Sequence, residues 1–359
     1  MAISNKPSIV LSYSPVGPDF PISAQCEMPN ITVTATLKDI TPDPKAVLSY
    51  VWNIALVFDG KGCPHFTGQG TTHPPITATT TVNSFKIPFS AMRGGDLTIK
   101  VSVQGGNQLL TGQSSGLRIT GTNPPVSLLA VYAPATAAFR KLMQLESALR
   151  QFFSPRYPLY SQDNKGGVGL CQITRPHPSA DQIWSWKANV DAGWSLYQEK
   201  EATARVFPAH IRKGDTFKQL VSSYNDARYK KQQEEAAKQP KAMAAAAAGG
   251  SGTASVKPTT EVVRRDLTIS LPDFTDEQLQ LDTLRGFNGY SDGLHEYRLS
   301  RDAAGLLAVT VDEANLKGKA SWDRLTAAQR IVQLDADGVA GNDRGDPNYV
   351  DDVMAQAGF

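Results

Sequence analysis

The stretch LMQLESALRQFF, residues 142–153, sets one acidic residue, Glu146, among apolar neighbours. Leu142, Leu145, Leu149, Phe152 and Phe153 recur every three to four positions, which predicts a helix with one apolar stripe. Glu146 lies beside that stripe, flanking Leu145 and Leu149, with Ser147 directly after it. A charge on a largely buried helix face is costly unless it is paired or has a job. A glutamate beside an apolar stripe is ordinarily a solvated flank, so the rest of the chain decides between the two readings.

Upstream the pattern is different. NITVTATLKDI, SYVWNIALVFDG, TATTTVNSFKIPFS, GDLTIKVSVQGG and SGLRIT are β-branched, aromatic and partly alternating, with Gly, Pro, Asn and Asp at turn-like spacings. Residues 1–125 therefore predict an all-β domain, a sandwich of immunoglobulin-like type, and GTNPPVS predicts a linker. Residues 126–359 predict a second, mainly α domain, with further helices at about 181–205, 215–239, 274–287 and 322–333. Inside it, KKQQEEAAKQPKAMAAAAAGGSGTASVKPTTE passes from a charged helix through an alanine run into Gly, Ser, Thr and Pro. That composition predicts a flexible insertion at about 230–262.

The bulk numbers agree with two domains, since 359 residues exceed one ordinary core. A net charge of +2, from 36 basic and 34 acidic residues, gives no whole-protein argument for nucleic acid as a partner. The mildly basic balance is compatible with an anionic polymer such as a bacterial wall. No stretch approaches the ~18 apolar residues of a spanning helix. MAISNKPSIVLSYSPVG is not a secretory signal peptide, so the expectation is synthesis in the cytoplasm and export by another route. Of three cysteines, Cys26 and Cys63 lie close enough in sequence to pair, but three do not make a disulfide framework.

Three further segments carry the chemistry. NKGGVGLCQITRPHPS (164–179) has three glycines in four positions and then Leu-Cys-Gln-Ile, which allows close approach of backbone to a ligand or a helix. WSWKANVDAGWSLY (184–197) has three tryptophans, whose helical spacing points to core more than to a sugar platform. LRGFNGYSDGLHEYRL (284–299) sets Asn288 between aromatics and glycines.

Glu146-Ser147, Gly167-Val168-Gly169-Leu170-Cys171-Gln172, Asn189-Val190 with Gly193, and Phe287-Asn288-Gly289 occur in the order used by soluble lytic transglycosylases. On these blocks, which cover roughly residues 135–359, the chain resembles that family of the lysozyme-like superfamily. It also resembles the related muramidase domains of phages and type VI secretion effectors. Each block is weak alone, and the β-region lies outside the resemblance. Cys171 stands where the family has Met, Val190 where it has Ile, and Phe287 where it has Tyr. Tyr224-Asn225 is a rival for the last block at a more family-like distance from Glu146. Asn288 is preferred because GFNGYSDGLHEYRL resembles the Tyr-Asn-Gly-Gly stretch of the muramidases, and PNYVDDVM resembles the Tyr-Val helix that ends such domains.

The resemblance implies cleavage of the MurNAc-β-1,4-GlcNAc bond of peptidoglycan, with Glu146 as general acid and then base. Partial burial of a glutamate suits that task by keeping its proton on near neutral pH. Ser147 and Gln172 would bond substrate or orient Glu146, Asn189 and Asn288 would contact sugar, and Gly169, Leu170 and Phe287 would line the site. Gln172 and Asn189 also fit as plain caps or turn residues. A transglycosylase needs no second carboxylate, because the muramyl 6-hydroxyl attacks and yields a 1,6-anhydro product. A muramidase using water needs one, for which Asp163 and Asp191 are unranked candidates.

No cofactor is implied and no catalytic metal is expected. QLDADGVAGNDRGDPN lacks the terminal Glu of an EF-hand and reads as an Asp/Gly turn, and the histidines have no metal spacing. The expected protein is an antibacterial type VI secretion effector acting on the periplasmic wall of a target bacterium, with an immunity protein as partner. A phage lysin or tail muramidase is the alternative delivery. A non-catalytic glycan-binding or structural module of a delivery apparatus is the alternative of different class.

Overall fold

The computed structural model describes residues 6–39, 47–68, 70–105, 108–247, 262–268, 273–288, 296–301, 307–312 and 349–359. The chain mixes β-sheet and helix and forms two compact units, Met1–Gln198 with Asp351–Phe359, and Glu199–Val350. Compactness thus divides the chain at a different place from residue 125.

The first unit opens with ten strands: β1 (Ser8–Ser14), β2 (Asp19–Pro21), β3 (Thr32–Lys38), β4 (Ser49–Phe58), β5 (Thr71–Thr72), β6 (Ile76–Thr80), β7 (Ser84–Lys86), β8 (Gly95–Gly105), β9 (Gln108–Gln113) and β10 (Leu117–Thr120). The five expected segments fall on β3, β4, β6 with β7, β8 and β10, whereas β1, β2, β5 and β9 were not anticipated. One sheet has the order β1-β3-β7; the larger runs β2-β10-β8-β4-β5, with β6 also on β4 and β9 also on β8. On β4 the alternation is strict: Tyr50, Trp52, Ile54, Leu56 and Phe58 are buried and the residues between them are not. The first four sit in register with the equally buried Val103, Val101, Ile99 and Leu97 of β8, and Phe58 pairs with Thr71 of β5. Val33 and Ala35 of β3 join them in one apolar cluster, so both sheets cover the same core. Each large side chain removed from water there contributes about 1.5–3 kcal/mol before entropy is counted.

The same core receives residues from far downstream. Phe152 and Trp184 belong to it, and Ile183 and Tyr157 pack against it. Trp184 stands edge-on to Phe58 at 5.4 Å, and a Cβ on Gly94 would lie 2.1 Å from its ring. Gly121 passes equally close to the Phe152 ring. The expected linker is therefore part of the packed structure. Asn123 Oδ1 accepts the Gln151 and Phe152 N–H groups at 2.8 Å, and its Nδ2 donates to the Phe152 carbonyl at 3.0 Å.

Helices α1 (Val126–Tyr132) and α2 (Ala137–Ser147) follow, then a short hairpin of β11 (Phe152–Ser154) and β12 (Tyr157–Pro158). The helix expected over 142–153 thus stops at Ser147. Ala148 (φ 51°) and Leu149 (φ 61°) both take left-handed conformations, and Phe152 leaves the helical stripe for the β core. Non-glycine residues in that region cost about 1 kcal/mol or more each; the bonds from Asn123 fix the chain that follows them. Arg140 on α2 gathers the carbonyls of Ala130, Ala133, Pro134 and Phe359, and Lys141 donates to Met354 O. Helix α3 (Ala180–Trp184) starts at a capping box of Ser179 and Gln182, and α4 (Trp186–Lys213) carries the chain out of this unit.

In the second unit, α5 (Asp215–Ala247) runs beyond its expected end, so residues 230–247 are helical. Residues 248–261 of the expected insertion lie outside the described residues. Helix α6 (Asp276–Phe287) begins at a Thr275–Gln278 capping box and packs Leu279 on Ala204 of α4, with Phe207 stacked on Phe274. A hairpin of β13 (Glu296–Arg301) and β14 (Leu307–Asp312) follows, and helix α7 (Tyr349–Ala355), most of which belongs to the first unit, completes the described elements. The expected helix at 322–333 and the Asp-rich turn at 333–348 lie outside the described residues. No helix among the described residues is long and apolar enough to cross a membrane.

Candidate active site

Glu146 occupies the last turn of α2, half-buried, where the chain reverses into the β11–β12 hairpin. The hairpin leads to the glycine-rich turn, in which Val168 bridges Tyr160 on one side and Ile173 on the other. Two buried amides lock this turn. Asn189 on α4 is fully buried; its Oδ1 accepts the Cys171 N–H at 2.9 Å, and its Nδ2 donates to Val168 O at 2.9 Å and Gln182 O at 3.2 Å. Gln151, also fully buried, donates from Nε2 to Gln182 O and Ile183 O, and its Oε1 accepts the Leu170 N–H at 3.2 Å.

Nothing in the sequence singles out Gln151. A polar residue ahead of Phe-Phe carries no motif, and only the fold makes it the joint of hairpin, turn and α3. It also explains Gly169: φ there is 72°, and a Cβ would come within 2.4 Å of the Gln151 amide.

Asn189 has all three of its amide bonds inside the protein and no exposed surface, so it is a brace for the turn. Leu170 is fully buried and Gly169 is packed against Gln151. Ser147 is buried and its hydroxyl bonds back to Met143 O at 3.0 Å, in its own helix. Gln172, half-buried at φ 47°, donates to Gly169 O at 2.8 Å. Its Oε1 is buried and accepts no hydrogen bond among the described residues. Phe287 ends α6 and Asn288 is its C-cap, both in the second unit. The rival Asn225 is buried in α5 and engaged with Leu267.

Cys171 connects the pieces electrostatically. Burial pushes its thiol well above the usual range, and the carboxylates of Glu146 and then Asp191 add to that shift. Both charges therefore bear on one buried sulfur. Asp191 accepts the Tyr132 hydroxyl on both oxygens, at 2.9 and 2.8 Å. Burial first, then that bond to Asp191, pushes Tyr132 up to about 12. Asp163 lies on the surface turn before Lys165. Burial raises its carboxyl, but hydrogen bonds from Ser161 and the Lys165 N–H and the Lys165 charge outweigh that, and the net shift is downward.

Trp184 and Trp186 are buried core residues, and Trp194 stacks on Tyr197 at 5.4 Å. All three cysteines are free thiols, so Cys26 and Cys63 do not pair. No cluster of metal-ligating side chains occurs among the described residues. A cavity of about 120 Å³ lies between the larger sheet and the hairpin, walled by Asp59, Lys61, Asp96, Arg118, Arg156 and Tyr157 among others; Glu146 is not in its wall. No protein-family model matches the chain, and no curated protein matches it.

Proposed function

We propose that this chain cleaves peptidoglycan glycan strands at the MurNAc-β-1,4-GlcNAc bond, with Glu146 as the acid. The observation that carries this reading is the position of Glu146. It is half-buried in the last turn of α2, directly before a hairpin and a glycine turn held by Gln151 and Asn189. A carboxyl so placed is a candidate proton donor, and then acceptor, for a bond lying against the turn. The proton passes from Glu146 to the glycosidic oxygen as the C1–O bond breaks. The resulting carboxylate then takes the proton of the muramyl 6-hydroxyl as its oxygen bonds C1, giving the anhydro product. With water as the attacking group a second carboxylate is needed, for which Asp163 and Asp191 are the candidates.

In this reading the downstream region is a lysozyme-like domain and the two sheets an immunoglobulin-like sandwich. The protein is an exported antibacterial effector of the type VI kind, countered by an immunity protein. A second reading, a non-catalytic glycan-binding module, is favoured by one observation: Ser147, Leu170 and Asn189 are buried and hold the fold.

Mass spectrometry of peptidoglycan digested with the wild type and Glu146→Gln separates the readings. Anhydromuropeptides from the wild type, reduced at least about 100-fold in the variant, support a transglycosylase. Reducing ends from the wild type alone support a muramidase. No products from folded wild type favour the module, and equal products from both proteins remove Glu146 from the mechanism.

A further inference from the structure

One face of α5 holds an extended stretch of the same chain by its backbone. The Asn225 side chain donates to Leu267 O at 3.2 Å and accepts the Leu267 N–H at 2.9 Å, taking both main-chain groups of one residue as a neighbouring strand would. Arg228 donates to Arg265 O at 2.7 Å, and the Tyr229 hydroxyl donates to Val262 O at 3.3 Å. Positions 225, 228 and 229 share a face of the helix, and the held stretch runs antiparallel to it. One side chain is read as well. Arg264 reaches Asp226 at 2.8 Å and Asp266 at 2.7 Å, with its guanidinium over the Tyr229 ring at 5.8 Å.

The hold is almost wholly polar. Val263 is 67% and Leu267 40% exposed, so neither anchors the stretch by burial. Solvent-exposed bonds of this kind are individually weak, so the stretch remains on the helix largely because the chain keeps it at high local concentration.

We infer that α5 carries a docking site for an extended, arginine-bearing peptide, formed by Asn225, Asp226, Arg228 and Tyr229, whose resident occupant is the chain's own Val262–Thr268. The site reads the main chain at three points and demands arginine at one. It is independent of the cleavage chemistry.

The test uses the full chain with residues 262–268 replaced by a Gly-Ser repeat, titrated with a fluorescent peptide VVRRDLT and followed by anisotropy. The expected result is saturable binding with a Kd of about 1 mM or tighter. It should weaken at least tenfold with Asn225→Ala or with alanine for the peptide's first arginine, and be absent with the intact chain. A folded replacement chain that does not bind, or that binds equally after Asn225→Ala, overturns the proposal. Hydrogen exchange of the intact chain gives a check that needs no replacement. Asn225→Ala should speed exchange of the Leu267 amide at least tenfold while α6 stays protected, and unchanged exchange overturns the proposal.

Discussion

Asn189 accepts the main-chain N–H of Cys171 at 2.9 Å, and the Cys171 thiol lies where a side chain at Gly193, one turn further along the same helix, would have to go. A Cβ on Gly193 would sit 2.3 Å from that sulfur. Turn and helix are thus fitted by two contacts, one polar and one steric. Gly193→Ala should destabilise the protein by about 1–3 kcal/mol through overpacking. Cys171→Gly in the same chain, which removes both the sulfur and the Cβ that would lie 2.5 Å away, should recover about half of that loss, measured as a denaturant-unfolding cycle. Additive losses would mean that the glycine is required for another reason.

Asn189→Ala should be more costly. It leaves the buried Cys171 N–H without its partner, at about 1–3 kcal/mol, and takes one of two bonds from the Val168 carbonyl, which keeps the Ile173 N–H. Equilibrium unfolding should show a lowered midpoint. If Asn189 instead met substrate, stability would hold and KM alone would rise.

Residues 126–359 produced without the β-region should not fold. Phe152 and Trp184 would lose the core of two sheets, and Asn123 would no longer fix the hairpin. Size-exclusion and circular dichroism should show an aggregated or molten chain. A sharp cooperative melt would mean that the downstream region supports itself.

Alkali should weaken the first unit. Burial pushes the Cys63 thiol up to about 11 and Tyr132 up to about 12. In both the folded state keeps a proton that the unfolded chain releases earlier. Stability is therefore full below the ordinary thiol range and falls as pH rises through about 9 to 11. Thermal midpoints measured from pH 7 to 11 should decline across that window, and Cys63→Ala should flatten the slope. A flat wild-type profile would contradict the assignment.

Much of the β-region was legible because Tyr50, Trp52, Ile54, Leu56 and Phe58 alternate cleanly, and period-2 patterning is a local signal. β2 and β5 are three and two residues long, too short for a periodic signal, and β2 pairs only with a distant strand, as Phe20 does with Ile119. The helical stripe through Phe152 misled for a related reason. The spacing was right, but Ala148 and Leu149 turn left-handed under constraints imposed from Asn123, and no local pattern announces that. At the site, Glu146 and the glycine turn could be picked out as residues, yet the roles of Asn189 and Gln151 depend on burial. A buried amide and a ligand-facing amide are identical in sequence.

Trp184 also makes the junction of sheets and helices observable. Its indole lies on Gly94, edge-on to Phe58 and tilted against Phe152. An indole enclosed by rings emits at short wavelength, and admission of water shifts that emission to the red. Loosening of this junction, whether by alkali, substitution or a bound partner, would change the colour of the protein's own fluorescence before the sheets themselves come apart.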